Sequence, residues 1–310
     1  MTLSPLTITK GRRFDVAGFG TNAVDHLITV PAYPAFNSKV ELTDHRMLPG
    51  GEIASTMVGL QRLGLNTAYA GRFGDDPEGG LGLRSLLEEG VDISLTQIVP
   101  GARTQIAYIV IDATTGERTV IWHRDSTLAY AADEAPTSLG AECSILHMTP
   151  HDTAACVAMA TTAREAGTIV SLDLDNDFDG IEKLLPLVDI CIASSDLPKK
   201  FYGENIEPSK GLARLSVDFG CSILGCTLGE GGSLLLVNGS EIASPSYPVP
   251  GGCVDTTGAG DAFRTGLLYG LFLEMSLEDA AATANKVASL KCRQLGARTA
   301  LPVRDQIKNL

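Results

Sequence analysis

The feature that most constrains this chain is its rhythm, in which short apolar runs alternate with longer segments of helical periodicity along most of its length. Phe14-Asp15-Val16-Ala17-Gly18 reads as a strand rising into a glycine turn, 54–63 (ASTMVGLQRL) as a helix, and 67–71 as the next strand. Residues 80–89 have a helical pattern that ends at Gly90, a residue suited to a left-handed C-cap. Strands follow at 145–148, 168–174, 190–193, 221–227 and 233–237, with helices at 154–166 and 208–219. Strands separated by helices of this length call for right-handed crossovers. The expected fold is therefore α/β, a three-layer, doubly wound and mainly parallel sheet.

Two stretches break the rhythm. Residues 26–48 are extended and punctuated by proline, and 104–122 (TQIAYIVIDATTGERTVIW) read as a hairpin around Thr115-Gly116. Both are expected as strands outside the main sheet, forming a small β lid on a single domain that spans 1–310. The alternative is a hairpin on the edge of the main sheet. With 44% hydrophobic residues the chain can bury a sizeable core.

The formal charge of −13 argues against nucleic-acid or anionic-membrane binding by overall charge, while leaving room for a local basic pocket. No run approaches about 18 apolar residues, the length a membrane helix needs, and the first residues lack a secretory pattern. Seven cysteines without a C-x-x-C pair fit reduced thiols, and no zinc site is expected from the five histidines. These features point to a cytoplasmic protein.

The strongest chemical signal is Asp255-Thr256-Thr257-Gly258-Ala259-Gly260-Asp261-Ala262-Phe263, followed by the apolar pattern RTGLLYGLFLE. A glycine-containing turn feeding a helix N-terminus offers unpaired amides and the helix dipole to an anion such as a phosphoryl group. Asp261 would stand at that helix start, where a carboxylate can take the proton of a substrate hydroxyl while the amides of Gly258, Ala259 and Gly260 stabilise the developing charge. A capping aspartate beside turn-forming glycines is the plain structural alternative. Gly18-Phe19-Gly20-Thr21-Asn22-Ala23 matches the G-x-G-x-x-A dinucleotide fingerprint. That fingerprint expects a helix next, and a β-prone segment ending at Pro31 follows instead.

The nine-residue string resembles the second signature of the ribokinase-like (phosphofructokinase B type) carbohydrate kinases. Further resemblances run along nearly the whole chain: Pro49-Gly50-Gly51, Arg72-Phe73-Gly74-Asp75-Asp76-Pro77-Glu78-Gly79, Thr227-Leu228-Gly229-Glu230-Gly231-Gly232, Ala284-Asn285-Lys286-Val287-Ala288 and Gly296-Ala297. The resemblance implies an ATP-dependent kinase that uses Mg2+ to phosphorylate a sugar hydroxyl, with Asp261 as base and Gly258–Gly260 as anion hole. It implies that Asp25 holds sugar hydroxyls and that Gly50 and Gly51 let backbone approach the sugar. It places Thr227, Gly229 and Gly231 on the nucleotide, Asn285 beside adenine, and a monovalent cation such as K+ at Asp255 and Thr257.

Departures from the family pattern fall on the substrate and metal side. Ser55 stands where many members carry a sugar-binding Asn, and Glu52 adds an acidic contact. The N-x-x-E motif is replaced by Ala193-Ser194-Ser195-Asp196-Leu197-Pro198, in which Asp196 could hold magnesium through water or simply be an exposed loop carboxylate. That string, with Gly116-Glu117-Arg118-Thr119, is similar to the ketohexokinase-like branch. Arg103, Arg124 and the acidic loop from Asp173 to Asp179 are secondary candidates for the cleft. Exposed lid edges invite a homodimer through the lid. A nucleoside kinase of the same family and a non-catalytic sugar or nucleotide sensor are the rival readings.

Overall fold

The computed structural model describes residues 2–115 and 118–308. The tip of the expected hairpin at Gly116 and Glu117 lies outside the described residues, as does the Pro208 side chain. From the amino end run β1 (Phe14–Phe19), β2 (Ala23–Val30), β3 (Asp44–Gly50), α1 (Glu52–Arg62), β4 (Thr67–Ala70), β5 (Arg72–Gly74), α2 (Pro77–Glu88) and β6 (Gln97–Val99). Next come β7 (Ile106–Asp112), β8 (Arg118–His123), α3 (Ser138–Glu142), β9 (Cys143–Met148), α4 (Thr153–Glu165), β10 (Ile169–Leu174) and α5 (Ile181–Leu184). The chain ends with β11 (Ile190–Ser194), α6 (Leu197–Tyr202), α7 (Pro208–Phe219), β12 (Ile223–Thr227), β13 (Ser233–Val237), β14 (Ser240–Ser244), α8 (Ala259–Phe272), α9 (Leu277–Lys291) and α10 (Arg304–Lys308).

Eight strands form the central sheet in the order β14-β13-β12-β11-β10-β9-β1-β4. All neighbours from β4 to β12 are parallel, and the last two strands add as an antiparallel meander. Strands β9 and β10 are buried at every position, the mark of a sheet covered on both faces. One apolar cluster joins α1, α8 and α9 to one face; the other joins α4 and α7 to the opposite face. The expected three-layer arrangement is the one observed. Helix α8 is buried along Asp261–Phe272 because it lies between the sheet and its neighbours α9 and α1, which explains its nearly uninterrupted apolar sequence.

A second sheet takes the order β3-β2-β7-β8, with β2 and β7 parallel and the outer pairs antiparallel. It sits apart from the main sheet, so the two stretches that break the rhythm are not an edge hairpin. Its register puts Asp25, Ala107 and Trp122 in one cross-strand row and Met47, His26, Tyr108 and Ile121 in the next. Alternate rows face opposite sides of the sheet. The dinucleotide-fingerprint alternative fails because Ala23–Val30 continues as a strand. No helix among the described residues is long and apolar enough to cross a membrane.

Candidate active site

The site is built where β1 leaves the central sheet. Tyr69 donates its hydroxyl hydrogen to the Gly20 carbonyl at 2.8 Å, and the Asn22 amide donates to Tyr69 Oη at 2.7 Å and to the Arg72 carbonyl at 3.0 Å. This pins the turn from which β2 departs and brings Asp25 over the carboxyl ends of the strands, the side on which open α/β sheets place their ligands.

Gly50 and Gly51 close the same corner from β3. A Cβ on Gly50 would fall into the Asp25 carboxylate, and Gly51 has φ 86° and backs directly onto Asn22. Only glycine fits at Gly51, and a side chain at Gly50 would have to displace the Asp25 carboxylate. The next residue, Glu52, opens α1 and accepts a hydrogen bond from the Thr21 hydroxyl.

On the opposite wall the chain enters α8 through Gly258, which has φ 75° and provides no side-chain cap. The Ala259 amide donates to the Thr256 carbonyl at 3.1 Å, and no side chain caps the rest of the first turn, an arrangement open to an anion. Asp261 lies in that first turn, 9% exposed. Asp25, Gly51, Glu52, Gly258 and Asp261 line one cleft of about 550 Å³. Arg118 reaches into it from β8 and donates to Thr256 Oγ1, tying the second sheet to the turn that enters α8.

The electrostatics follow from crowding carboxylates into a buried place. Burial and the neighbouring Glu52 push Asp261 up to about 7, against the opposing pull of Arg264. Burial raises Asp25 to about 7 as well, with Arg298 working the other way and Asp255 and Glu52 adding to the rise. A carboxyl that titrates near neutrality can hold or release a proton at little cost.

Other expected site residues lie elsewhere. Ser55 is fully buried one turn into α1, and its hydroxyl accepts from Arg298 Nε at 3.1 Å rather than facing the cleft. Helical spacing turns it inward, so the expected substrate contact becomes a support for the Gly50 corner. The Asn285 amide donates to Ser233 Oγ at 3.0 Å and Ser244 Oγ at 3.0 Å, tying α9 to the β13–β14 hairpin. Thr227 closes β12, pairs with Ser194 and Ser233, and is half-buried, whereas Gly229 and Gly231 are exposed in the turn that follows. None of these four lines the cleft around Asp261.

Asp196 is exposed and paired with Lys200 at 3.1 Å, outside the cleft wall. Of the acidic loop, Asp175 and Asn176 do reach the cleft, while Asp173 is buried against the Arg264 guanidinium. Arg124 is engaged by Asp152 at 2.7 Å. Among the described residues no three His, Cys, Asp or Glu side chains gather where they could hold a metal ion by themselves.

The oxygens of Asp255 are already spoken for. Its Oδ1 accepts from the Thr257 amide at 2.8 Å and the Thr257 hydroxyl at 2.7 Å, its Oδ2 accepts from the Gly296 amide at 2.8 Å, and its carbonyl accepts from Lys291 Nζ at 2.8 Å. Burial works to raise this carboxyl, but the Lys291 charge and the hydrogen bonds from Thr257 and Gly296 outweigh it and hold Asp255 below the ordinary range. A monovalent cation therefore does not fit the Asp255–Thr257 pair as the residues stand.

Several residues that shape the cleft carry no motif. Arg298 donates to Ser55, to Ser85 Oγ at 2.9 Å and to the Gly50 carbonyl, so one buried guanidinium fixes the glycine corner beneath Asp25. Its only signal in sequence is adjacency to Gly296-Ala297. Trp122, His151 and Phe178 form an aromatic wall on the cleft, with ring centroids 6.3 Å and 5.1 Å apart in turn. They come from β8, the turn after β9 and the acidic loop, too far apart in the chain to read as a group.

The family described as pfkB family carbohydrate kinase matches residues 16–304. A fructokinase of Klebsiella pneumoniae is 30% identical over 282 residues, covering 84% of this chain and 91% of the relative. A nucleoside kinase of Methanothermobacter thermautotrophicus is 26% identical over 301 residues, covering 93% of this chain and 92% of the relative. Among solved structures, Arabidopsis thaliana ribokinase complexed with ribose and ATP superposes with a TM-score of 0.81 at 21% identity, covering 96% of this chain and 98% of that one.

Proposed function

The chain belongs to the pfkB family of carbohydrate kinases, phosphotransferases that act on hydroxyl groups, and from that premise we propose that it transfers the γ-phosphoryl group of ATP to a sugar hydroxyl held in the cleft between the two sheets. The observation that carries this reading is Asp261, a carboxyl raised to about 7 at the uncapped start of α8 and on the cleft wall.

In this reading Asp25, backed by Gly50 and Gly51, orients the sugar. Asp261 takes the proton as the hydroxyl attacks, and the amides at Gly258 and Gly260 receive the charge on the transferred group, with Ala259 N–H turned to the Thr256 carbonyl. The β3-β2-β7-β8 sheet is the lid; its closure excludes water that would otherwise compete for the phosphoryl group. Arg118 brings a positive charge from the lid to the anion-binding turn. Mg2+ on the triphosphate would neutralise phosphate charge, and Glu52 and Asp175 on the cleft wall offer the oxygen donors that could hold it through its water shell. Thr227, Gly229 and Gly231 would face the nucleotide, with Asn285 setting the hairpin beside it. The outward row Met47, Tyr108 and Ile121 is exposed and suits a second copy of the lid. A cytoplasmic setting accords with seven free thiols, six of them buried.

A nucleoside is the second reading, favoured by the Trp122–His151–Phe178 wall. These rings could stack on a base, and the buried His151 Nδ1, which has no partner among the described residues, could hydrogen-bond to it. ADP release with Mg-ATP over a panel of fructose, ribose and nucleosides separates the readings. Turnover on free sugars supports the first and turnover on nucleosides alone the second. No ADP release with any acceptor contradicts both.

A further inference from the structure

Lys291, the last residue of α9, has a side chain with no exposure at all. Its Nζ donates to the Asp255 carbonyl at 2.8 Å and stands 3.7 Å from Asp255 Oδ2. A lysine this deeply buried needs a specific reason, because desolvating an ammonium is costly unless it is paired. Asp255 supplies the pairing, and it is the first residue of the turn that leads through Gly258 to Asp261.

We infer that the Lys291 ammonium is a tethered monovalent cation: it takes the place under the 255–261 turn where the family resemblance puts a bound ion, and so makes the turn independent of K+. An ammonium and K+ carry the same charge and are of similar size, and both are satisfied by carbonyl and carboxylate oxygens. Here the charge arrives on a side chain anchored by α9. The positive charge also reaches the cleft, since Lys291 is among the groups that favour the ionised forms of both Asp25 and Asp261. Lys291 acts through Asp255 and the turn, as a positioning residue. Its effect on turnover rests on the kinase reading above, but its occupation of the cation place does not.

The test compares the wild-type protein in about 100 mM tetramethylammonium, Na+ and K+ chlorides, by thermal melting and by ADP release. A bound ion at well above its dissociation constant would raise the melting temperature, so melting reads occupancy without any turnover. Expected are melting curves that agree among the three salts and rates within about twofold of one another. Lys291→Ser should lose at least about tenfold in turnover in tetramethylammonium, regain it selectively in K+, and show an acid limb shifted to higher pH as Asp261 loses a nearby positive charge. A wild-type melting temperature raised by several degrees in K+, or wild-type turnover activated about tenfold by K+, would overturn the inference. So would a Lys291→Ser protein as active as the wild type without K+. If no acceptor is ever phosphorylated, the melting arm still decides the matter.

Discussion

Replacing Asp261 by Asn should make the protein more stable at alkaline pH while removing its activity. Burial and Glu52 raise the carboxyl from 3.8 to about 7, against the pull of Arg264. At about 1.4 kcal/mol for each tenfold change in proton affinity, this rise represents on the order of 4 kcal/mol. The folded protein binds the proton more tightly than the unfolded chain. The stability associated with the group is therefore complete below about pH 4 and is lost as pH rises through about 7. An amide never ionises, so the variant escapes that loss. Taking about 2 cal/mol/K of unfolding entropy per residue over the 310 residues, the gain is a melting temperature about 6 °C higher at pH 8, shrinking toward nothing near pH 4. Calorimetry or circular dichroism across that range, for both proteins, is the assay. A variant that melts no higher than the wild type at pH 8, or whose difference is the same at every pH, would refute the reasoning that the site stores electrostatic cost for function.

Three further outcomes follow from the geometry. Gly50→Ala drives a methyl group into the Asp25 carboxylate, and should raise the KM for the acceptor by about tenfold or more while leaving nucleotide affinity unchanged, as read by steady-state kinetics and calorimetric titration. Arg298→Met removes a buried guanidinium that holds Ser55, Ser85 and Gly50 and faces Asp25; it should cost about 3 to 5 kcal/mol, read as a lowered melting temperature, and push Asp25 still higher. Trp122→Ala should raise the KM for nucleosides about tenfold and leave that for free sugars within about twofold; equal effects would place the indole in the sugar site instead.

The fold was legible where the chain obeys a single period. Strands β9 to β12 read clearly because both faces are buried and the residues are continuously apolar, and α7 because glycine at 220 closes its pattern in the left-handed region. Less legible were β5 and β6, three residues each, and β14, whose Ser, Glu and Ala residues carry little β signal. In the site, the 255–261 string is legible because a turn feeding a helix start is built from adjacent residues. Asp25 and the Gly50-Gly51 pair could be matched but not joined until the register of β2 on β3 brought Ala23 opposite Gly50. Position in a motif does not give direction: one turn into α1 the Ser55 side chain points to Arg298. Lys291 looks like an ordinary C-terminal helix lysine, and only the crossing of α9 beneath Asp255 reveals a buried cation.

The most direct test is the pH dependence of turnover for the wild type and Asp261→Asn on one accepted substrate, with nucleotide affinity measured alongside. The wild-type kcat should rise with pH to a plateau above about 7, and the variant should run flat, about 10²- to 10⁴-fold below that plateau, with nucleotide binding retained. A variant that turns over within about twofold of the wild type, or a wild-type profile with no acid limb near neutrality, would contradict Asp261 as the base.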